Sequence, residues 1–345
     1  MLTKRNSDRF GWGLFALLVS AVAVAADDDP RVWLQRMNHA LTATNYEGVF
    51  SHWQDGKVEM LRIIHRVKDG EVRERLVSLD GSGREFIRTG TELACYLPDK
   101  RTVLVERRAD QSPLLGNFPS FDEASTQFYD VKLVKRTRFN RRPTRIIAVE
   151  PKDEFRYGYR LWIDEATAMP RRTQLCDAKG NIIEQVVFSD LTANARIPDV
   201  AFKPEVSTEG FRWLRNDAPS QPLLAAGNPA LWNALKLPPG FRMMVRAAQV
   251  MPGSSDPVTH IVYSDGLASV SVFVEVHSGT RALQMPGEPT LPPQGVARVG
   301  SSSAFSTVIE GHKVTAVGEV PPETVKFIAN SVKSAPLSLQ APPAR

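Results

Sequence analysis

The chain has 345 residues, 42% apolar and 23% charged, with a formal net charge of +5. That is ordinary globular composition with room for two cores. The charge surplus is too small to argue for nucleic acid, and it suits an acidic partner or an anionic lipid only weakly.

Residues 1–25 read as a secretory signal. Lys4, Arg5 and Arg9 precede the apolar run GWGLFALLVSAVAVA, and Ala23-Val24-Ala25 fits the small-x-small cleavage rule. The run falls short of the roughly 20 residues a membrane span needs. No Cys follows the cleavage site to carry a lipid, so the mature chain is expected to be soluble and exported.

Asp29 followed by Pro30 starts a helix, and Trp33, Met37, Ala40 and Leu41 lay one apolar stripe along it. Strands follow at 46–54, 57–68, 71–79, 84–89, 92–97 and 101–107. Asp55-Gly56, Asp69-Gly70 and Asp80-Gly81 supply tight turns between them. DQSPLLGNFPSFDEASTQFYD then reads as loop plus a short helix near 121–128. Strands resume at 131–138, 143–150, 156–163, 169–176 and 181–191. A sheet of that many sequential hairpins curls rather than staying flat. The expected fold is therefore mainly β (α+β), with an unclosed antiparallel half-barrel and its helices over residues 26–192. In 57–67, Val58, Met60 and Ile64 share one face, while Leu61, Ile63 and Val67 share the other. One face can pack on helices and the other line a cavity; ordinary packing on both sides explains the pattern equally well.

Residues 193–231, rich in Pro and polar residues, read as a linker. A smaller α+β domain follows at 232–335. Its clearest strand, 268–277, sets Ala268, Val270, Val272, Val274 and Val276 on one face. Further strands fall near 241–250, 259–264, 304–310 and 312–319. A last helix after Pro321-Pro322 carries Val325, Ile328, Ala329 and Val332. Residues 278–303 read as a mobile loop and 336–345 as a flexible tail.

No catalytic signature appears. None of the six histidines (39, 52, 65, 260, 277 and 312) has helical zinc spacing, and neither Cys95 nor Cys176 has a second Cys nearby. An exported chain permits a Cys95–Cys176 disulfide, but two separate strand cysteines explain the pair as well. Nucleophile-elbow, P-loop and dinucleotide motifs are missing. No cofactor or metal is expected. The densest charge lies in VKRTRFNRRPTR, where Arg136, Arg138, Arg141, Arg142 and Arg145 surround Asn140. A solvated hairpin tip is the simpler reading, and a docking point for acidic protein or phosphate the functional one.

The blocks MNHALTATNYEGVFSHWQDGKVEMLRIIHR, SLDGSGREFIRTG, RLWIDEATAMPRRTQLCDAKGNIIEQVVF, YSDGLASVSVFVE and VGEVPPETVKFIANSVK stand in the order expected of the RseB/MucB family. The resemblance spans about residues 30–335. It implies a periplasmic negative regulator of the envelope-stress sigma factor, with a first domain similar to the lipoprotein carriers. It further implies binding to the periplasmic domain of a single-span anti-sigma factor of the RseA/MucA type, which it shields from regulated proteolysis. Release follows the sensing of off-pathway lipid or lipopolysaccharide. Lipid A and lipoprotein acyl chains are the implied lipid partners, nucleic acid is not one, and a homo-oligomer is compatible. The rival reading is a periplasmic lipid or lipoprotein carrier, and a secreted hydrolase lacks every signature.

Two sets of site residues are expected. Trp53, Met60, Ile64, Leu104, Trp162 and Phe188 are expected to line or border an apolar lipid pocket. Phe211, Arg212, Trp213 and Arg215 of the linker, with the Tyr263–Gly266 hairpin (Tyr263, Asp265, Gly266), are expected to bind the anti-sigma segment where the domains meet. Trp and Arg in a linker fit the residue types enriched at binding hot spots.

Overall fold

The computed structural model describes residues 29–107, 114–115, 127–216, 221–222, 230–250, 257–276 and 294–336. The expected signal segment, most of the expected helix near 121–128 and most of the expected 278–303 loop lie outside them.

Helix α1 (Pro30–Ala43) begins as its sequence dictates: the Asp29 carboxylate accepts from the Arg31 N–H at 2.9 Å, and Pro30 opens the first turn. Trp33, Leu34, Met37, Ala40 and Leu41 are its buried face. Twelve strands then form one sheet: β1 (Tyr46–Gln54), β2 (Lys57–Lys68), β3 (Glu71–Ser78), β4 (Glu85–Thr89), β5 (Glu92–Leu97), β6 (Thr102–Arg107), β7 (Tyr129–Phe139), β8 (Arg142–Pro151), β9 (Gly158–Asp164), β10 (Pro170–Cys176), β11 (Ile182–Ala193) and β12 (Arg212–Asn216). Their order is β12-β6-β5-β4-β3-β2-β1-β11-β10-β9-β8-β7. β1 sits in the middle, paired to β2 on one side and β11 on the other. The ends do not pair, so the sheet is unclosed, with β7 and β12 as its edges.

The Asp-Gly turns behave as two kinds. Asp55-Gly56 and Asp69-Gly70 both take positive φ (49° and 74°, 53° and 79°), the mirror-image turn that suits right-twisted strands. At 80–81 only Gly81 does, and the Asp80 carboxylate holds a wider loop by accepting from the Ser82 N–H at 2.9 Å.

The expected linker departs from its reading. Residues 212–216 join β6 as a parallel strand, with Trp213 opposite Val103 and Leu214 opposite Leu104. Two further described stretches are β13 (Gln221–Pro222) and β14 (Ala230–Ala234). A second sheet contains β13, β15 (Arg242–Val250), β16 (Pro257–Ser264), β17 (Ser269–Val276), β18 (Gly295–Val299), β19 (Ser302–Ile309) and β20 (His312–Gly318), in the order β13-β15-β16-β17-β20-β19-β18. Helix α2 (Pro322–Asn330) covers it, and β21 (Val332–Pro336) returns to pair with β14. The 295–299 part of the expected loop is therefore strand. Val270, Val272 and Val274 are fully buried as the alternation predicts, together with Val325, Ile328 and Ala329 of α2.

Candidate functional site

Side chains alternate across a strand, so each face of the large sheet can be read from register. Phe50 and Leu61 stand opposite each other, and Phe188 stands opposite Phe50. With Ile63, Ile147, Leu161 and Ile163 they form the core under α1. Gly48 of β1 is on this face, where a Cβ would come 2.7 Å from the Asp190 carbonyl oxygen and 3.1 Å from Phe188.

Toward β4 the same face turns polar. Tyr46 stacks on His65 at 4.7 Å, and His65 Nδ1 meets the Thr44 carbonyl at 3.1 Å. His65 Nε2 lies 3.8 Å from Glu74, and the Arg88 guanidinium pairs with Glu74 at 3.0 Å. Burial pushes the His65 imidazole down to about 4 and the Glu74 carboxyl upward. This cluster ties the chain after α1 to the sheet. In sequence each member is one polar residue in an alternating run, which hid it.

The six expected lipid-contact residues do not share one pocket. Phe188 is in the α1 core, and Leu104 faces the same side, opposite Cys95. Trp53, Met60, Ile64 and Trp162 face the other way: Trp53 lies opposite Val58, Met60 opposite Ser51, Ile64 opposite Arg75, and Trp162 under the Arg172 guanidinium at 4.6 Å. The reason is the period of two, which separates even from odd positions. Val58, Met60 and Leu79 are exposed on that second face beside half-buried Trp53, whereas Ile64 is buried.

Residues 197–211 cover part of the second face. Arg66 donates to the Ile197 carbonyl (3.0 Å) and to Asp199 (2.6 Å), and lies over the Phe202 ring. Arg75 bridges Glu85 (2.8 Å), the Ala201 carbonyl (3.2 Å) and Glu205 (2.9 Å). Val206 and Phe211 close over Ile87, Ala94, Tyr96, Val103 and Val105. At the β12 edge, Trp213 is 45% exposed and meets Tyr96 edge-on at 6.3 Å. Arg212 and Arg215 are exposed beside it, Arg215 within 3.5 Å of Glu92.

Among the described residues the two parts of the chain meet at several polar contacts, including Thr324 on the Phe155 carbonyl at 2.9 Å, and two clusters stand out. At the first, Arg156, in the β8–β9 connection and 0% exposed, donates Nε to Asp265 at 2.5 Å and also reaches Asp153 and the Pro239 carbonyl. The Tyr129 hydroxyl donates to the same Asp265 at 3.0 Å, and the rings of Phe128 and Phe241 flank the guanidinium at 4.7 and 5.2 Å. At the second, the Gln54 amide donates to Glu184 (2.9 Å) and to Ser301 (3.1 Å), and the Ser301 hydroxyl donates to Glu319 (2.5 Å). His52 donates to Glu184 at 3.0 Å, and that bond holds its imidazole above its ordinary range.

The expected anti-sigma set is divided by this arrangement. Tyr263 is 0% exposed, and its hydroxyl is taken up by Asn233 and the Ala234 N–H. Asp265 serves Arg156, Tyr129 and its own turn, accepting from Leu267 (2.8 Å) and Ala268 (2.7 Å). Gly266 is an exposed turn position. Asp265 thus stands beside β7, and Tyr263 is buried in the core of the second sheet. Phe211, Arg212, Trp213 and Arg215 stand at the opposite edge, with ten strands between in the sheet order. Arg156 had no motif to announce it; an arginine inside the aromatic run FRYGY is the one local signal.

Cys95 and Cys176 are free, half-buried thiols on β5 and β10. Among the described residues no group of His, Cys, Asp or Glu is arranged to hold a metal ion, and no helix is long and apolar enough to cross a membrane.

Against known proteins, the MucB/RseB N-terminal domain family matches residues 29–206, and the MucB/RseB C-terminal domain family matches residues 227–333. The chain is 32% identical over 325 residues to the sigma factor AlgU regulatory protein MucB of Pseudomonas aeruginosa, covering 93% of this chain and 96% of that protein. It is 31% identical over 333 residues to the sigma-E factor regulatory protein RseB of Salmonella typhimurium, covering 92% and 95%. A crystal structure of MucB in complex with MucA(peri) superposes with a TM-score of 0.65 at 27% identity, over 88% of this chain and 98% of that one.

Proposed function

The chain belongs to the MucB/RseB family, and on that premise we propose that it regulates an envelope-stress sigma factor from the periplasm by binding the periplasmic segment of a membrane anti-sigma factor. The observation that carries this reading is likeness over nearly the whole chain, both sheets included, to a protein solved with such a segment bound. Binding shields the segment from the protease that would cut it. An off-pathway lipid or lipopolysaccharide acyl chain competes and releases it.

The apolar second face, with Val58, Met60 and Leu79 exposed beside Trp53, is the surface proposed for the lipid. The β12 edge, with Arg212, Trp213 and Arg215, is the surface proposed for the anti-sigma segment. Exposed Trp flanked by Arg is the side-chain chemistry of a hot spot, and Trp213 packs edge-on against Tyr96 without being swallowed.

Calorimetric titration of the exported chain with the periplasmic segment of its anti-sigma factor tests the reading. Trp213→Ala is expected to cost about 2 kcal/mol or more of binding, roughly thirtyfold in Kd, with the melting temperature held. A variant that binds normally but melts early makes Trp213 a pin for β12 and removes it from the contact. A chain that ignores the segment yet carries lipoproteins between vesicles is a carrier instead.

A further inference from the structure

The β7–β8 hairpin holds seven basic side chains (Lys132, Lys135, Arg136, Arg138, Arg141, Arg142 and Arg145) against two acidic ones, Asp130 and Glu150, which face each other at its open end and leave the half toward the tip without a carboxylate. Three are answered: Lys132 by Glu150 within the hairpin (2.7 Å), and Arg142 by Asp164 (3.4 Å) and Arg145 by Glu165 (3.2 Å) from outside it. Lys135, Arg138 and Arg141 are exposed and make no ion pair among the described residues. Register sets Arg136 and Arg138 on the helix-covered face and Lys132 and Lys135 on the other, so cations flank the strand on both sides. Arg141 stands at φ 66°, a left-handed position that the Asp-Gly turns fill with glycine. The turn thus places a cation where backbone preference favours none.

Among the described residues β7 is also an edge, paired to β8 alone and eleven residues long. An edge strand offers a row of unpaired N–H and C=O groups to any extended chain, and flanking charge decides which chain is admitted. A second copy of this edge brings cation against cation, and a neutral strand leaves the lysine and arginine heads to be desolvated unpaired. We infer that the β7 edge and its Asn140-Arg141 tip are a second docking surface, which admits an acidic extended peptide segment as a further strand. Backbone pairing supplies the register, and alternate carboxylates meet the cations of the two faces. This surface is at the opposite edge of the sheet from Trp213, so it goes beyond the function proposed above and stands or falls separately.

The probe is a ten-residue peptide of alternating glutamate and valine, titrated into the intact chain by fluorescence anisotropy at low salt. Binding is expected, with slowed amide exchange at residues 135–139. The double variant Arg138→Glu/Arg141→Glu, whose positions are exposed and leave the fold intact, is expected to weaken it about tenfold or more. Alternate N-methylation of the peptide, which keeps its charge and blocks strand pairing, is expected to weaken it as much. Equal binding of the methylated peptide overturns strand addition. So does absence of binding, and so does co-sedimentation with phosphatidylglycerol vesicles without affinity for the peptide. Concentration-dependent self-association abolished by the double variant overturns it in favour of a second copy.

Discussion

Replacing Asp265 by Leu removes one carboxylate and takes an acceptor from four groups. The Arg156 guanidinium, with no exposed surface, loses the acceptor at 2.5 Å, the Tyr129 hydroxyl loses its acceptor at 3.0 Å, and two turn N–H groups lose theirs. Breaking a buried ion pair by removing one partner costs about 3–5 kcal/mol, and the loss is expected at the lower end here because Asp153 still reaches Arg156. The turn bonds add about 1 kcal/mol. The pair Arg156→Met/Asp265→Leu removes both charges together and fills the same space, so most of the ion-pair loss returns and about 2 kcal/mol from the turn and the Tyr129 hydroxyl remains. The expected interaction energy in the double-mutant cycle is therefore about 2 kcal/mol or more. Urea unfolding of the parent, both single variants and the pair measures it. Additive effects, or single losses under about 1 kcal/mol, refute the claim that this pair clasps the two sheets.

Acid is expected to weaken the fold through His65. Its imidazole is held down to about 4 in the fold by burial, against about 6.5 unfolded, so the unfolded chain takes the proton first and stability falls as pH drops through that window. The loss is about 2 kcal/mol between pH 7 and pH 5, partly offset at the acid end by Glu74, whose raised carboxyl protonates earlier in the fold than out of it. His65→Gln should flatten the slope of the urea midpoint against pH, and an unchanged slope would assign it to other groups. Gly48→Ala is expected to cost about 1–3 kcal/mol, because its Cβ meets the Asp190 carbonyl at 2.7 Å with Phe188 and Leu191 behind it; an unshifted melt would mean that β1 and β11 give way freely. A thiol-reactive dye should count two thiols in the unfolded, unreduced chain, one each from Cys95 and Cys176, and a count of zero would mean a disulfide.

Strand positions were legible where local chemistry decides them. Asp55-Gly56 and Asp69-Gly70 supply positive φ whatever surrounds them, and the apolar stripe of α1 needs only its own spacing. β12 was not legible, because Arg212-Trp213-Leu214-Arg215 becomes a strand only when β6, more than a hundred residues earlier, lies parallel beside it. The second sheet's alternation told where Val270, Val272 and Val274 face, because a period of two needs only its own strand. The lipid-contact set mixed two faces because it was chosen for apolar character, without counting even against odd positions. Asp265 was singled out as part of the YSDG turn, but nothing in that turn showed that it pairs with an arginine from the other sheet. Such pairings depend on how two folded sheets come together, and no spacing within either sequence segment encodes that.

The central claim is that this chain holds and protects an anti-sigma segment. Its most direct measurement is the cleavage rate of the purified periplasmic domain of that anti-sigma factor, exposed to its site-specific protease with and without the exported chain. The account predicts that one equivalent of chain slows cleavage in step with complex formation, that Trp213→Ala needs a much higher concentration for the same protection, and that added lipopolysaccharide restores cutting. Unaltered cleavage at concentrations that saturate binding would contradict shielding, and unaltered cleavage with no binding at all would contradict the function itself.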